Sequence, residues 1–193
     1  MTDQLDLPII GFKTPQAWRE WLEKHHAQQD GIWLHMYKKD TGIASITYAE
    51  ALDEALCFGW IDGQVKKADE LSWYQRFTPR RKRSIWSHKN TQNVERLIKL
   101  GKMTAAGMAQ IEAAKADGRW QAAYQSSSRG RPPDDFMTEL RKNEKAYAFF
   151  QTLDKHNTYA VYFRLQSAKT PETRENRIKM FIAMFEKEEK FHD

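Results

Sequence analysis

The 193-residue sequence predicts an α+β fold: a small, mainly antiparallel sheet flanked by helices, followed by a C-terminal helical bundle. Three observations lead there. Apolar residues make up 40% of the chain and charged residues 30%, the balance of a charged globular protein with a sizeable core. The runs with strand character fall between Ile32 and Phe77 and do not alternate with helices regularly enough for a doubly wound sheet. Beyond Pro133 the periodicity is helical throughout.

The first helix is signalled by Thr14 as N-cap and Pro15 at the first helical position, with Trp18, Trp21, Leu22 and His25 along one face. Asp30-Gly31 punctuates, Ile32 to Lys38 alternates as a strand, and Thr41-Gly42 is its turn. Thr47 and Glu50 have the spacing of a capping box, with Ile46 placed to staple against Ala51. That second helix buries Leu52, Ala55 and Leu56, carries Cys57 and Phe58 near its end, and stops at Gly59. Trp60 to Val65 and Ser72 to Phe77 read as two strands joined by the charged turn from Lys66 to Glu70. Ser87 begins a helix through Leu100 with Val94, Leu97 and Ile98 inward. Thr104 caps another, bearing Met108 and Ile111 and ending at Gly118, and the short connection predicts that these two pack antiparallel.

From Gln125 to Pro133 the sequence QSSSRGRPP loses apolar residues and has the composition of a linker. The expected organisation is an N-terminal α+β domain over 1–124, a linker over 125–133 and a helical subdomain over 134–193. In the last part helices are expected over Asp134 to Lys142, Asn143 to Leu153, about Lys155 to Ser167, and from Thr170-Pro171 onward. Their aromatic residues, Tyr147, Phe149, Phe150, Tyr159, Tyr162, Phe163, Phe181 and Phe185, read as core, and any left exposed would form a partner surface.

Composition excludes several classes. No apolar run approaches the ~20 residues of a membrane-spanning helix. The start of the chain carries Asp3 and Asp6 and lacks the basic, then apolar, pattern of a secretory signal, so the cytoplasm is the expected location. Cys57 is the single cysteine, which rules out an intramolecular disulfide, a CxxC redox pair and a cysteine-based zinc site built from this chain alone. His25 and His26 point to different helix faces, and His35, His88, His156 and His192 have no ligand partner at helical spacing; no metal site is expected. No GxSxG, Walker A or GxGxxG element is present, and no cofactor or catalytic residue is expected.

Several ordered blocks resemble the bacterial YdeI/OmpD-associated (OmdA-like) family. They are Trp33-Leu34 to Tyr37-Lys38-Lys39, Leu56-Cys57-Phe58-Gly59-Trp60-Ile61-Asp62-Gly63, Gln75-Arg76-Phe77-Thr78-Pro79-Arg80 and Ser84-Ile85-Trp86-Ser87. Lys102-Met103-Thr104, the run Ala114 to Trp120 and the stretch Ala168-Lys169-Thr170-Pro171-Glu172-Thr173-Arg174 with Arg177-Ile178 complete the resemblance over nearly the whole chain. It implies a bacterial protein of undefined biochemical activity. The family is described by bacteriocin protection and resistance to cationic antimicrobial peptides, and at times as periplasmic, which the N-terminal sequence does not favour.

The net charge of +5 is unevenly spread. Between Arg76 and Lys102 stand nine basic residues against Glu95 alone, so the remainder of the chain is net acidic. Within that stretch Arg80, Arg83, Ser84, Trp86 and Lys89 form a candidate anion site. Arginine forks and a helix N-terminus at Ser87 supply donors, and Trp86 could stack on a ring. The plainer reading is a solvated basic run leading into a helix, anchored by Ile85 and Trp86. A second constellation gathers Tyr37, Lys38, Trp60, Asp62, Tyr74, Arg76 and Thr78, because alternation puts Tyr74, Arg76 and Thr78 on one side of a strand. Asp62 is expected to pair with Lys38 or Arg76, as part of a ligand surface or as a structural ion pair with Trp60 in the core. The resulting expectation is a non-enzymatic protein that binds an anionic ligand or a protein partner. A nucleic-acid-binding module through Arg76 to Lys89 is an alternative; an enzyme with Asp62, Tyr74 and Arg76 in one pocket is another. The oligomeric state is left open.

Overall fold

The computed structural model describes residues 6–125 and 130–192. The chain divides into two compact units, Met1–Ala123 and Tyr124–Asp193. Of the expected linker, residues 126–129 lie outside the described residues.

The first unit is α+β. Its strands are β1 (Ile9–Gly11), β2 (Ile32–Tyr37), β3 (Trp60–Lys67) and β4 (Ser72–Pro79), and its helices are α1 (Pro15–His25), α2 (Tyr48–Cys57), α3 (His88–Lys99) and α4 (Ala105–Ala116). The sheet order is β1-β2-β4-β3. β2 and β4, and β4 and β3, are antiparallel, but β1 runs parallel to β2, so the sheet is mixed. Three residues are too few for alternation to show, and β1 left no strand pattern in the sequence.

The caps formed as the sequence predicts. Thr14, Thr47, Ser87 and Thr104 each accept a hydrogen bond from a first-turn amide, and Thr47 with Glu50 closes a capping box. Hydrogen bonds from the Thr47 hydroxyl and amide hold the Glu50 carboxyl below its ordinary range. At the other end of α2, Gly59 adopts φ +74°, a left-handed conformation that turns the chain from helix into β3.

One core lies on one side of the sheet. Ile32, Leu34 and Met36 from β2, Phe77 from β4 and Trp60 from β3 meet Trp18 and Leu22 of α1, Ala51 to Cys57 of α2, Val94 and Leu97 of α3, and Ile111 and Ala114 of α4. Trp18 stacks on Trp21 at 5.3 Å, meets Trp60 edge-on at 6.2 Å and donates its indole N–H to Ala51 O at 3.1 Å. Two details differ from the sequence pattern. Ile98 is exposed and Thr91 takes an inward position on α3. α3 and α4 each pack chiefly on α2 instead of on one another, because α2 offers both an apolar flank.

Two buried polar side chains of this unit, Glu54 and Gln75, find partners. Glu54 meets Arg19 at 2.8 Å and Lys102 at 3.7 Å. Gln75 stands in a core-facing position at a bulge between Asp62 and Val65, where its side-chain amide donates to the carbonyls of Gly63 and Gln64 at 3.1 and 3.3 Å.

The second unit is helical: α5 (Asp134–Leu140), α6 (Glu144–Gln151), α7 (Lys155–Gln166) and α8 (Pro171–Glu186). Phe136, Leu140, Ala146, Phe150, Val161, Leu165, Ile178, Phe181 and Phe185 form its core. Phe150, Tyr162, Phe181 and Phe185 are buried as the aromatic pattern predicts, whereas Tyr147, Phe149, Tyr159 and Phe163 are half-buried. Arg174 grips both oxygens of Asp135 at 2.7 and 2.8 Å and donates to Leu165 O at 2.9 Å, tying α8 to α5 and α7. None of the described helices is long and apolar enough to cross a membrane.

Candidate functional site

The register of β2 against β4 builds one surface out of two alternating sequences. Trp33 lies opposite Arg76, His35 opposite Tyr74 and Tyr37 opposite Ser72, and directly paired residues share a face. The face away from the core therefore carries Trp33, His35, Tyr37, Tyr74, Arg76 and Thr78. β3 adds Lys66 beside Tyr74. His35 sits 4.6 Å from the Tyr37 ring and 5.0 Å from the Tyr74 ring, and a 2.9 Å hydrogen bond between its Nε2 and Ser72 Oγ fixes its orientation. His35, Tyr37, Tyr74, Lys66, Arg76 and Thr78 are all half-buried, so part of each side chain is accessible. A cavity of about 260 Å³ adjoins this face, lined by Phe12, Lys13, His35, Tyr37, Ile43 and Ser45.

Trp33 is 1% exposed yet belongs to neither hydrophobic core. Charged groups cover it. Lys66 Nζ lies 5.3 Å and the Arg76 guanidinium 5.8 Å from its ring centre. Its indole N–H donates to Asp6 Oδ1 at 3.2 Å, while Arg76 Nη2 donates to Asp6 Oδ2 at 3.0 Å.

At its far end β4 runs into the basic turn. Arg81, Lys82 and Arg83 are exposed there, held in shape by the amide of Arg81 donating to Ser84 Oγ at 3.0 Å and the amide of Ser84 donating to Arg81 O at 2.8 Å. Lys89 is exposed on the first turn of α3. Ser84 is half-buried, and its carbonyl accepts from Arg119 at 2.9 Å.

The remaining candidates are built into the fold. Arg80 is only 6% exposed: its guanidinium stacks 3.5 Å from the centre of the Trp86 ring and donates to Ile85 O at 3.2 Å. Trp86 is 2% exposed and packs against Trp120, so neither side chain is displayed to a ligand. Ile85, which reads as an anchor, is instead half in solvent. Trp60 is in the core and donates to His26 O at 3.1 Å. Asp62 lies opposite Phe77 on the helix-covered face and accepts from the Tyr48 hydroxyl at 2.8 Å, so it meets neither expected partner. Lys38 is exposed and donates to Glu70 O at 2.7 Å. The pocket that would gather Asp62, Tyr74 and Arg76 is not assembled, because alternation sends the carboxylate and the other two side chains to opposite faces.

Trp33, His35 and Lys66 escaped the sequence reading. Alternation in β2 carried the first two, but only the pairing with β4 shows that they join Tyr74 and Arg76.

Cys57 is completely buried. Burial, reinforced by the neighbouring Glu54 charge, pushes its thiol from 9.0 up to about 11, with Arg19 pulling the other way. The neutral thiol is favoured by folding, so the stabilisation it contributes holds below pH 9.0 and is lost as the pH rises through about 11. Iodoacetamide at pH 8 is expected to leave the native protein unmodified by mass and to alkylate it once denatured. Modification of the folded chain within minutes would contradict this. Among the described residues no group of three or more His, Cys, Asp or Glu side chains is placed to hold a metal ion.

Comparison with known proteins divides the chain in a way that its resemblance alone did not. Residues 10–110, which include all but the first residue of the sheet, its aromatic face and the basic turn, match a family described as a domain of unknown function, DUF8412. Residues 130–188 match the family described as Bacteriocin-protection, YdeI or OmpD-Associated, or OmdA. No curated protein and no solved structure matches significantly. With more than half its length in the first family, the chain belongs to the DUF8412 family, and over residues 130–188 it carries a domain of the YdeI/OmpD-associated, OmdA type.

Proposed function

We propose that this chain is a non-enzymatic binding protein for an anionic ligand, and that single-stranded nucleic acid is the ligand its geometry fits best. One observation carries the reading: the aromatic and cationic residues on the outer face of the sheet lead along β4 directly into the exposed turn Arg81-Lys82-Arg83. From Ser72 to Arg81 an extended strand covers about 30 Å. That is a track for a polymer more than a pocket for a small molecule, and the cavity beside it is modest. Rings on such a face offer stacking to any base, and cations at its end offer contacts to phosphates, which is how sequence-tolerant binders of single strands work. In this reading the protein acts in the cytoplasm, where such strands are abundant, and any contribution to antimicrobial-peptide or envelope-stress resistance follows from that binding.

Fluorescence anisotropy with labelled oligonucleotides across a salt series tests it. Three or four phosphate contacts should give a log–log salt slope of about −2 to −3 on single strands. Replacing Arg81, Lys82 and Arg83 together by alanine should flatten that slope. Tyr74→Ala should weaken binding about 5- to 150-fold with the slope unchanged, since stacking is worth roughly 1–3 kcal/mol per base. Absence of binding at low salt overturns the reading, and so does equal affinity for duplex and single strand.

A further inference from the structure

Among the described residues, Arg76 is hydrogen-bonded through one arm of its guanidinium. Nη2 donates to Asp6, whereas Nε, on the same edge of the fork, is buried and has no hydrogen-bond partner among the described residues. Arg174 uses the same two nitrogens in the second unit to hold both oxygens of Asp135. That is the arrangement a structural pair adopts when its partner is free to align. Asp6 does not align in this way. Its second oxygen goes to the Trp33 indole N–H, its side chain is 60% exposed, and its segment is tethered by the Trp33 amide donating to Pro8 O at 2.8 Å. With one Asp6 oxygen on Nη2 and the other turned to the indole, the carboxylate as placed gives Nε no acceptor. A phosphate has enough oxygens to sit across Nε and Nη2 and still accept from the indole, with Lys66 beside it adding charge.

We propose that Arg76 and Trp33, with Lys66, form a subsite for a phosphate oxyanion on the outer face of the sheet, and that Asp6 occupies it in the free protein. The inference rests on the strand-binding reading for its physiological ligand, the phosphate of a bound nucleotide, but not for its geometry. Asp6 then acts as a weak internal competitor that any incoming phosphate must displace.

The test is a titration with inorganic phosphate at constant ionic strength, following the Trp33 indole N–H resonance by NMR, assigned through Trp33→Phe. Asp6→Asn removes the competing charge with little change of shape. It should bind phosphate about tenfold more tightly than the wild-type chain, the size of one charge-assisted hydrogen bond. Arg76→Lys keeps the charge and loses the fork, and should abolish the response. An indole resonance that ignores phosphate overturns the subsite. So does an Asp6→Asn protein that titrates like the wild type, or an Arg76→Lys protein that keeps the response. Should Arg76→Lys fail to fold, the Asp6→Asn comparison decides alone. Oligonucleotide anisotropy on the same proteins separates the two ideas: phosphate binding without strand binding removes the proposed function and leaves the subsite, and strand binding insensitive to Asp6→Asn, with a silent indole, does the reverse.

Discussion

Trp86→Ala is expected to destabilise the protein by about 3–5 kcal/mol, the range for truncating a buried tryptophan. The indole is 2% exposed, lies between the Arg80 guanidinium at 3.5 Å and the Trp120 ring at 5.0 Å, and holds the strand-to-helix connection that carries Arg81 to Arg83. Its loss leaves a cavity and a buried cation without its aromatic neighbour. Thermal denaturation should show the midpoint falling on the order of 10 °C. Trp86→Phe should cost far less, because the indole N–H it removes is buried without a hydrogen-bond partner among the described residues. The pair of variants separates the structural role from a ligand-stacking one. A Trp86→Ala protein that melts like the wild type but no longer binds oligonucleotide would return Trp86 to the ligand surface.

Gly107→Ala is expected to cost about 3 kcal/mol, the upper end of the penalty for overpacking. α4 crosses the end of α2 so closely that a β-carbon at Gly107 would fall far inside contact distance of the Cys57 carbonyl oxygen and 2.8 Å from its carbon. That carbonyl cannot retreat. It accepts from the Thr104 amide at 3.1 Å and from the Thr104 hydroxyl at 2.7 Å, so moving it breaks the cap that starts α4. Chemical denaturation should give a lower midpoint with an unchanged slope. Gly118→Ala makes a useful contrast, because its penalty is one of backbone conformation alone: φ is +80° and no atom lies near an added β-carbon.

The parts of this protein that were legible in the sequence are those set by neighbours within about four residues, the span over which caps and helical contacts act. Thr14 with Pro15, Thr47 with Glu50, Ser87, Thr104 and Thr170 with Pro171 each begin a helix, and the α+β class followed from where the strands and helices fell. The family resemblance was equally readable, since it rests on ordered blocks of residues.

What the tertiary structure alone decided is which chemistry reaches solvent. Arg80 and Arg81 are adjacent and equally basic, yet one stacks beneath Trp86 and the other is exposed, because Trp86 finds Trp120 from another element. Asp62 and Arg76 were natural partners on paper, but strand pairing put them on opposite faces, and Arg76 took Asp6 from 70 residues away. Trp33 and His35 joined the candidate surface only through the register of β2 on β4. Local sequence fixes conformation through short-range hydrogen bonds and sterics; exposure and pairing depend on long-range packing, which no window of residues contains.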